Sequence, residues 1–574
     1  NGKYGSDTLK DAALVAYVSP DSKDWRFSLV KMDYHIKETS SGKTKVKEDI
    51  TPAKRWSFLV GENEKSHTAQ SRFVCILEKD DFMPTLGDLE QAFDIEVVTK
   101  EFFQEYRDLF IRTKLELDKI LKNSQKVRQE FENKNINSVD FAKKLLGQIT
   151  FLYFLQKKGW FGVKKGEQWG TGSKDFIRRL FNKEYGNYTN FYNDILEPLF
   201  YEALRTDRTI DDHYYSKFNC KLPFLNGGLF DPINNYDWVD TEILIPDILF
   251  SNNKTIDGYI GNGILDIFDR YNFTVNEEEP LEKEVALDPE LLGKTYEKLN
   301  AIRADNFDEY YQVLRSGKKG EETKFNREYG VYYTPREIVH YMCQESLINF
   351  LDTNLSCNRK DIEDFVKFGD STQEIEEIYL EKQNLIENGE LKSTSYESHI
   401  PKYIKENSIQ IDELLDDIKV CDPAVGSGAF PIGMMHEIVK LRQLLSIFKG
   451  EQAKLYDLKR ITIENSLYGV DIDPGAVEIC KLRFWLSMIV DEEDFYNIKP
   501  LPNLDYKVVC GNSLIGFPEN WKSPISEKIE KLTTENFSET NPVRKKQLKT
   551  EIDKIIRERL ENSEKSFGYK IDFD

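Results

Sequence analysis

The feature that most constrains this chain is an alternation in its last third, where short apolar runs are followed by longer amphipathic segments. The runs cover residues 419–421, 467–472 and 507–510, and the segments between them cover residues 431–448 and 476–490. Alternating strands and helices predict a parallel sheet that is covered on both faces. Such sheets bind ligands at the carboxyl ends of their strands, so the residues that end each run form the candidate site.

The first run ends in an acidic, glycine-rich turn, V-C-D-P-A-V-G-S-G-A-F at residues 420–430. Glycines let a backbone approach a ligand closely, and the start of the following helix offers free N–H groups. The turn lacks the third glycine of the dinucleotide fingerprint and the Lys-Ser/Thr pair of a phosphate-binding P-loop. A short motif of this kind is a chance match about half the time, so a tight turn without a ligand stays open.

The second run, Y-G-V-D-I-D-P at residues 468–474, also ends in acids. A carboxylate at the tip of a second strand can accept hydrogen bonds from both hydroxyls of a ribose, and we assign this role to Asp471. We expect Asp473, which precedes Pro474, to cap the next helix instead. The third run continues into V-V-C-G-N-S-L at residues 508–514, where Gly-Asn-Ser is a common turn and a weak signal alone.

A fourth motif lies upstream, V-Y-Y-T-P-R-E-I-V at residues 331–339. Thr334 to Glu337 is typical of a capping box with proline at the first helical position, a pattern that starts helices in any protein. The start of a well-capped helix is also a favourable seat for a carboxylate. The motif therefore fits either a structural role or a ligand-binding role.

In this order the four motifs resemble those of the amino-methyltransferases that act on adenine N6 in DNA, and most of all the single-chain Type IIG restriction–modification enzymes. The segments L-N-G-G-L-F at residues 225–230 and D-P-E-L-L-G at residues 288–293 extend the resemblance into the middle of the chain. The resemblance implies S-adenosylmethionine as cofactor and double-stranded DNA as partner. It implies cofactor-binding roles for Tyr332, Thr334, Asp422, Ala424, Gly426, Gly428, Asp471, Ile472, Asn512 and Leu514.

Each role follows from the family's motif. Thr334, with a tyrosine nearby, would hold the methionine carboxylate, and Asp422 with the backbone of the glycine-rich turn would surround the methionine end. Asp471 would hold the ribose, and Ile472 would pack on the adenine. Asn512 stands where the family often has aspartate, and its amide oxygen can still accept a hydrogen bond from the exocyclic amine of the cofactor.

The resemblance also predicts a catalytic motif, and the sequence does not contain it. The family's catalytic motif, Asn/Asp/Ser-Pro-Pro-Tyr/Phe, follows a fourth strand, whereas Asn541-Pro542 is followed here by Val543-Arg544. We therefore expect no catalytic residue in this chain, which would bind the cofactor without catalysing, and we expect the target-recognition domain further on. A non-catalytic scaffold that binds S-adenosylmethionine and a methyltransferase for another substrate stay open as alternatives.

The expected fold class is α/β with several domains. Residues 1–90 are interpreted as a β-rich remnant of a larger N-terminal domain, because three strands are too little sheet to stand alone. Residues 91–320 are interpreted as a helical connector, with Phe151, Tyr153 and Trp160 in its core. Residues 325–574 are interpreted as a Rossmann-like methyltransferase domain with an incomplete sheet. The N-terminal strands are expected over residues 12–18, 25–34 and 55–60, with a polar hairpin loop over residues 38–48.

Composition bears on partners and compartment. The net charge of −21 disfavours a general nucleic-acid binder, so a DNA-facing basic surface is expected to be local or to lie outside these residues. The 7 cysteines and 6 histidines are scattered without C-x-x-C or H-x-x-x-H spacing, which predicts reduced thiols in the cytoplasm and no metal site. No apolar run reaches the roughly 20 residues of a membrane span. An endonuclease, and Mg²⁺ with it, is implied only by the resemblance, and the oligomeric state is not predicted.

Overall fold

The fold is that of a computed structural model, which describes residues 12–20, 23–38, 44–62, 64, 66–78, 83–225, 228–256, 259–274, 282–318, 320–329, 334–394, 397–450, 453–490, 500–514 and 524–567. The helices in these ranges are too short or too polar to cross a membrane.

The strands of the described residues are β1 (Ala12–Val18), β2 (Asp24–Glu38), β3 (Thr44–Gly61), β4 (Tyr214–Tyr215), β5 (Cys220–Lys221), β6 (Thr255–Ile256), β7 (Tyr259–Ile260), β8 (Glu282–Glu284), β9 (Val420–Asp422), β10 (Leu467–Asp471) and β11 (Val508–Cys510). The helices before residue 330 are α1 (His67–Leu77), α2 (Leu86–Ala92), α3 (Ile95–Asn123), α4 (Gln125–Asn133), α5 (Ser138–Gln156), α6 (Phe176–Phe181), α7 (Ile264–Phe268), α8 (Pro289–Asn300), α9 (Phe307–Ser316) and α10 (Glu321–Glu328). Those that follow are α11 (Arg336–Asn354), α12 (Arg359–Glu387), α13 (Lys402–Glu406), α14 (Ser408–Asp417), α15 (Ala429–Lys449), α16 (Leu455–Asn465), α17 (Pro474–Val490), α18 (Pro524–Ser538) and α19 (Pro542–Phe567).

The N-terminal strands form one sheet in the order β1-β2-β3-β8. The first three are antiparallel, and β8 adds a parallel fourth strand from a distant part of the chain. Leu29 and Phe58, each 1% exposed, lie in a small core with Phe93 and Val285. The three expected strands are present. The loop expected over residues 38–48 was too long, because β2 runs to Glu38 and β3 begins at Thr44, which extends the backbone pairing.

The middle of the chain is mostly helical, and its centre is α5. Asn137 caps this helix by accepting a hydrogen bond from the Asp140 N–H at 2.9 Å, and nearly every residue of the helix is buried. Phe151 and Tyr153 on α5, and Trp160 after it, are at most 3% exposed. The prediction that these aromatic residues belong to the core is confirmed.

The C-terminal strands form a second, fully parallel sheet in the order β11-β10-β9. Leu467 pairs with Val420, and Gly469 pairs with Val508, so the carboxyl ends of all three strands meet at one edge. Helices α15 and α16 connect β9 to β10, and α17 connects β10 to β11. The predicted alternation of strands and helices is therefore present, with bounds within two residues of those expected.

The helical part and the C-terminal sheet share one continuous hydrophobic core. Helix α17 packs against both α5 and α8, and its Phe484 and Trp485 are each 1% exposed. The indole N–H of Trp485 donates to the Pro502 carbonyl oxygen at 3.0 Å, so its one polar atom is satisfied. This shared core fixes the position of α8 relative to the sheet edge that carries the candidate site.

Candidate functional site

The glycine-rich turn follows β9 and leads into α15. The Asp422 carboxylate accepts a hydrogen bond from the Ala424 N–H at 3.0 Å, which bends the chain away from the strand. Gly426 and Gly428 have φ angles of +53° and +84°, the left-handed region that favours glycine. A Cβ on Gly428 would also lie 2.6 Å from the Cys480 sulfur on α17. The turn thus needs glycine for its conformation and for close packing.

Asp471, at the tip of β10, ties this turn to the second strand. Its Oδ2 accepts a hydrogen bond from the Gly426 N–H at 2.8 Å, and its Oδ1 accepts one from the Asp473 N–H at 2.9 Å. The Val425 N–H donates to the Val470 carbonyl oxygen at 2.9 Å. The structure therefore brings the first two motifs together at one sheet edge.

The end of β11 completes this edge. The Gly511 N–H donates to the Asp471 carbonyl oxygen at 2.8 Å, and Asn512 Oδ1 accepts a hydrogen bond from the Leu514 N–H at 3.0 Å. Ile472 is 67% exposed and Leu514 is 92% exposed. Two large, exposed apolar side chains thus follow the ends of neighbouring strands.

Glu297 on α8 reaches the same turn, and sequence reasoning missed it. The Ser427 hydroxyl donates to Glu297 Oε2 at 3.3 Å, and the Arg483 guanidinium donates to the Ser427 carbonyl oxygen at 2.9 Å. Ser427 and Arg483 are each 2% exposed. The sequence signal near Glu297 is the segment D-P-E-L-L-G, which marks the start of α8. Asp288 of this segment caps the helix by accepting a hydrogen bond from the Leu291 N–H at 2.7 Å. Nothing in the local pattern pointed from that helix to the turn.

Burial raises the pKa values of two acidic side chains around the turn. It raises the pKa of Asp422, with a smaller contribution from the nearby Asp471 charge, while the Ala424 N–H opposes the rise. Burial also raises the pKa of Glu297 to about 7, against the Ser427 hydrogen bond and the Arg483 charge. Glu297 therefore changes its ionisation near neutral pH.

Asp473 plays the capping role predicted for it. Its Oδ1 accepts a hydrogen bond from the Ala476 N–H at 3.0 Å, and α17 begins at Pro474. Its Oδ2 lies 3.8 Å from Arg303 Nε. Asp473 therefore caps α17 and also lies close to an arginine from the helical part of the chain.

The capping box expected at Thr334 is not present. Helix α11 begins at Arg336, its N-cap position is Pro335 in an extended conformation (ψ 145°), and no side chain caps it. The ring of Pro335 disfavours the helical conformation for the residue before it, and Thr334 lies outside the helix and is exposed. Arg336 forms an ion pair with Glu290 of α8 at 3.2 Å. Tyr332 lies outside the described residues, and the cofactor roles of both residues stay predictions.

Two negative features concern the described ranges only. No group of three or more His, Cys, Asp or Glu side chains there could hold a metal ion. Asn541, which precedes a proline, accepts from the N–H groups of Val543 and Arg544 at 2.9 and 3.1 Å and so starts α19. This asparagine therefore caps helix α19, and the absence of a catalytic motif stays a prediction.

Comparisons with known proteins agree with the motifs. Residues 465–574, which include β10, α17, β11, α18 and α19, match the Eco57I restriction-modification methylase family. A Methanocaldococcus jannaschii protein named as a type II restriction enzyme and methyltransferase is 33% identical over 392 residues, which is 67% of this chain. The chain spans 28% of the length of that relative. These two matches confirm the resemblance to restriction–modification methyltransferases.

A solved structure of the Type IIL restriction-modification enzyme MmeI in complex with DNA is also similar. The match covers 71% of this chain and 40% of that chain, with 14% identity and a TM-score of 0.36. At that score the similarity carries no further argument about the fold or the site.

Proposed function

We propose that this chain is the S-adenosylmethionine-binding part of a DNA adenine-N6 methyltransferase from a restriction–modification system. The observation that carries the proposal is the hydrogen bond from the Gly426 N–H to the Asp471 carboxylate, which joins the turn of the first strand to the acid of the second. The family matched by residues 465–574 and the Methanocaldococcus jannaschii relative support DNA methylation and the restriction–modification context.

The architecture supports a Rossmann-like cofactor site. Its parallel strands follow the order third, second, first, and helices connect them. In such sheets the ligand lies beyond the carboxyl ends of the strands, with its polar groups at a glycine-rich turn and at an acid on the next strand. The glycine-rich turn and Asp471 stand in that relation.

The side chains at this sheet edge fit the chemistry of the cofactor. Each Asp471 oxygen accepts one backbone N–H, and because a carboxylate oxygen has two acceptor sites, both can also accept a ribose hydroxyl. Ile472 and Leu514 offer exposed apolar surface for the faces of the adenine ring. Among the described residues, only the Glu297 carboxylate lies within 4 Å of where a Cβ on Gly426 would stand, which supports room for the methionine end at this turn.

Each residue then has a defined task. Asp471 holds the ribose and fixes the turn, the Asp422 carboxylate attracts the ammonium group of the methionine end, and Asn512 faces the adenine edge. When bound, S-adenosylmethionine supplies an activated methyl group, and adenine N6 of DNA is the proposed acceptor. These residues bind and orient the cofactor.

Calorimetric titration with S-adenosylmethionine and S-adenosylhomocysteine tests the cofactor site. We expect saturable one-to-one binding that weakens at least ten-fold in Asp471→Ala, since hydrogen bonds to a charged group contribute about 1.5–3 kcal/mol each. Asp417→Ala is the matched control, because Asp417 is an exposed carboxylate just before β9, at the other end of the same sheet. Equal affinities of wild type and Asp471→Ala would refute the site.

Nucleoside mass spectrometry tests the acceptor. DNA incubated with the full-length protein and S-adenosylmethionine should contain N6-methyladenine. Methylated cytosine instead, or no methylated base, would contradict the adenine assignment while leaving the cofactor test unaffected.

A further inference from the structure

Helix α8 carries one side chain into the glycine-rich turn from outside the sheet. The Glu297 carboxyl group accepts a hydrogen bond from the Ser427 hydroxyl at 3.3 Å, and its other oxygen lies 3.6 Å from where a Cβ on Gly426 would stand. Ser427 is 2% exposed, so its hydroxyl bond is shielded from water. The Glu297 carboxyl group therefore contacts Ser427 directly and lies beside Gly426, in the middle of the turn.

Arg483 on α17 holds the same residue from the other side. Its guanidinium donates to the Ser427 carbonyl oxygen at 2.9 Å. Gly293, one helical turn before Glu297, lies against this arginine, and a Cβ there would be 2.9 Å from Arg483 Nη1. The backbone and the side chain of Ser427 are thus both fixed, one by α17 and the other by α8.

We propose that Glu297 is a positioning residue for the cofactor-binding turn, so that the helical part of the chain completes the cofactor site. By holding Ser427, which lies between them, the carboxylate keeps Gly426 and Gly428 in the left-handed conformation that the turn requires. The identity of the ligand rests on the proposed function, whereas the hold on the turn does not.

The ionisation of Glu297 gives this role a signature that simple packing would lack. The charged groups that act on it are Arg483 from α17 and Asp471 from the end of β10. Burial raises the pKa of Glu297 to about 7. A carboxylate accepts a hydrogen bond about twice as strongly as the neutral acid, so the turn is held more firmly as pH rises from 6 to 8.

Two measurements test the proposal. In the ligand-free protein at pH 6, where Glu297 is mostly neutral, hydrogen exchange of the peptide 424–430 should be at least ten-fold faster in Glu297→Ala than in wild type, and close to wild type in Glu297→Gln. The affinity for S-adenosylmethionine should fall at least ten-fold in Glu297→Ala. The ratio of the wild-type affinity to that of Glu297→Gln should rise about three- to ten-fold from pH 6 to pH 8. Ionisation of the ligand itself cancels in this ratio.

The hydrogen-bond partner and a neutral site supply the controls. Ser427→Ala should reproduce the effect of Glu297→Ala, and the double variant should be no worse than either single variant, because one bond is lost in each case. Glu96→Gln removes an exposed ion pair between α3 and Lys294 of α8, 3.5 Å long, and should change neither measurement.

The outcomes separate the two proposals. Unchanged exchange in Glu297→Ala, with wild-type affinity, would overturn the positioning role and leave the cofactor site standing. Faster exchange of the turn in a protein whose wild type does not bind S-adenosylmethionine would support the positioning role and overturn the proposed function.

Discussion

Glu197 lies in the middle of a tyrosine cluster and has no exposed surface. It follows a π-helical turn, Tyr192–Leu196, and its N–H donates to the Tyr192 carbonyl oxygen five residues back. The Tyr236 hydroxyl donates to Glu197 Oε1 at 2.6 Å, while Oε2 has no partner within the described part of the chain. Burial raises the pKa of Glu197 to about 9, against the hydrogen bond from Tyr236 and the nearby Tyr192 hydroxyl group.

The consequence is a pH-dependent loss of stability. Unfolding exposes Glu197, which then ionises near its ordinary pKa, so the folded protein binds one proton more than the unfolded chain between that pKa and about 9. The stability contributed by the neutral acid is therefore complete at low pH and is lost as pH rises towards 9. A difference of one bound proton changes the free energy of unfolding by about 1.4 kcal/mol for each pH unit. Glutamine at this position is neutral in both states and removes the effect.

We therefore expect Glu197→Gln to gain about 3 kcal/mol relative to wild type between pH 6.5 and pH 8.5. With about 2.1 cal/mol/K of unfolding entropy per residue, this is roughly 2 °C in unfolding temperature for 574 residues. Differential scanning calorimetry at five pH values measures it. Glu242→Gln, which removes an exposed carboxylate from the same middle part of the chain, is the control. Parallel curves for Glu197→Gln and wild type would mean that Glu197 is ionised in the fold.

Two further substitutions separate stability from binding. Gly428→Ala should lower the free energy of unfolding by about 2–4 kcal/mol, because its φ is +84° and its Cβ would lie 2.6 Å from the Cys480 sulfur; an unchanged urea midpoint would contradict this. Ile472→Ser, at a side chain 67% exposed, should change that free energy by less than about 0.5 kcal/mol. It should weaken S-adenosylmethionine binding roughly five- to twenty-fold, and calorimetry showing lost stability with full affinity would refute its role.

The parts of the fold that the sequence predicted are those determined by local signals. The strands β9, β10 and β11 are short apolar runs bounded by polar turns, and Asp473-Pro474 is an N-cap followed by a proline. In a parallel sheet, strand direction alone places the ends of successive strands at one edge. The proximity of the glycine-rich turn to Asp471 could therefore be predicted without any knowledge of side-chain packing.

The parts that could not be predicted depend on contacts between distant residues. Glu297 and Ser427 are 130 positions apart, and β8 joins β3 across more than 200 residues. No periodicity reports such a contact. The capping box at Thr334 failed for a different reason, since the pattern allowed Pro335 at the first helical position, whereas the chain uses it as the residue before the helix.

The contacts that α8 and α17 make with the glycine-rich turn are polar, although apolar contacts could also hold these elements together. Arg483 is 2% exposed, and its Nε has no partner within the described residues. Taking a guanidinium out of water costs several kcal/mol, which the Ser427 carbonyl oxygen and the nearby Glu297 carboxyl group offset only in part. Well-packed apolar residues would hold α8 and α17 together at a lower cost in desolvation free energy. They would not, however, fix the direction of the Ser427 carbonyl and hydroxyl groups. Arg483 and Glu297 are therefore better explained by the geometry they impose on the turn than by the stability they add.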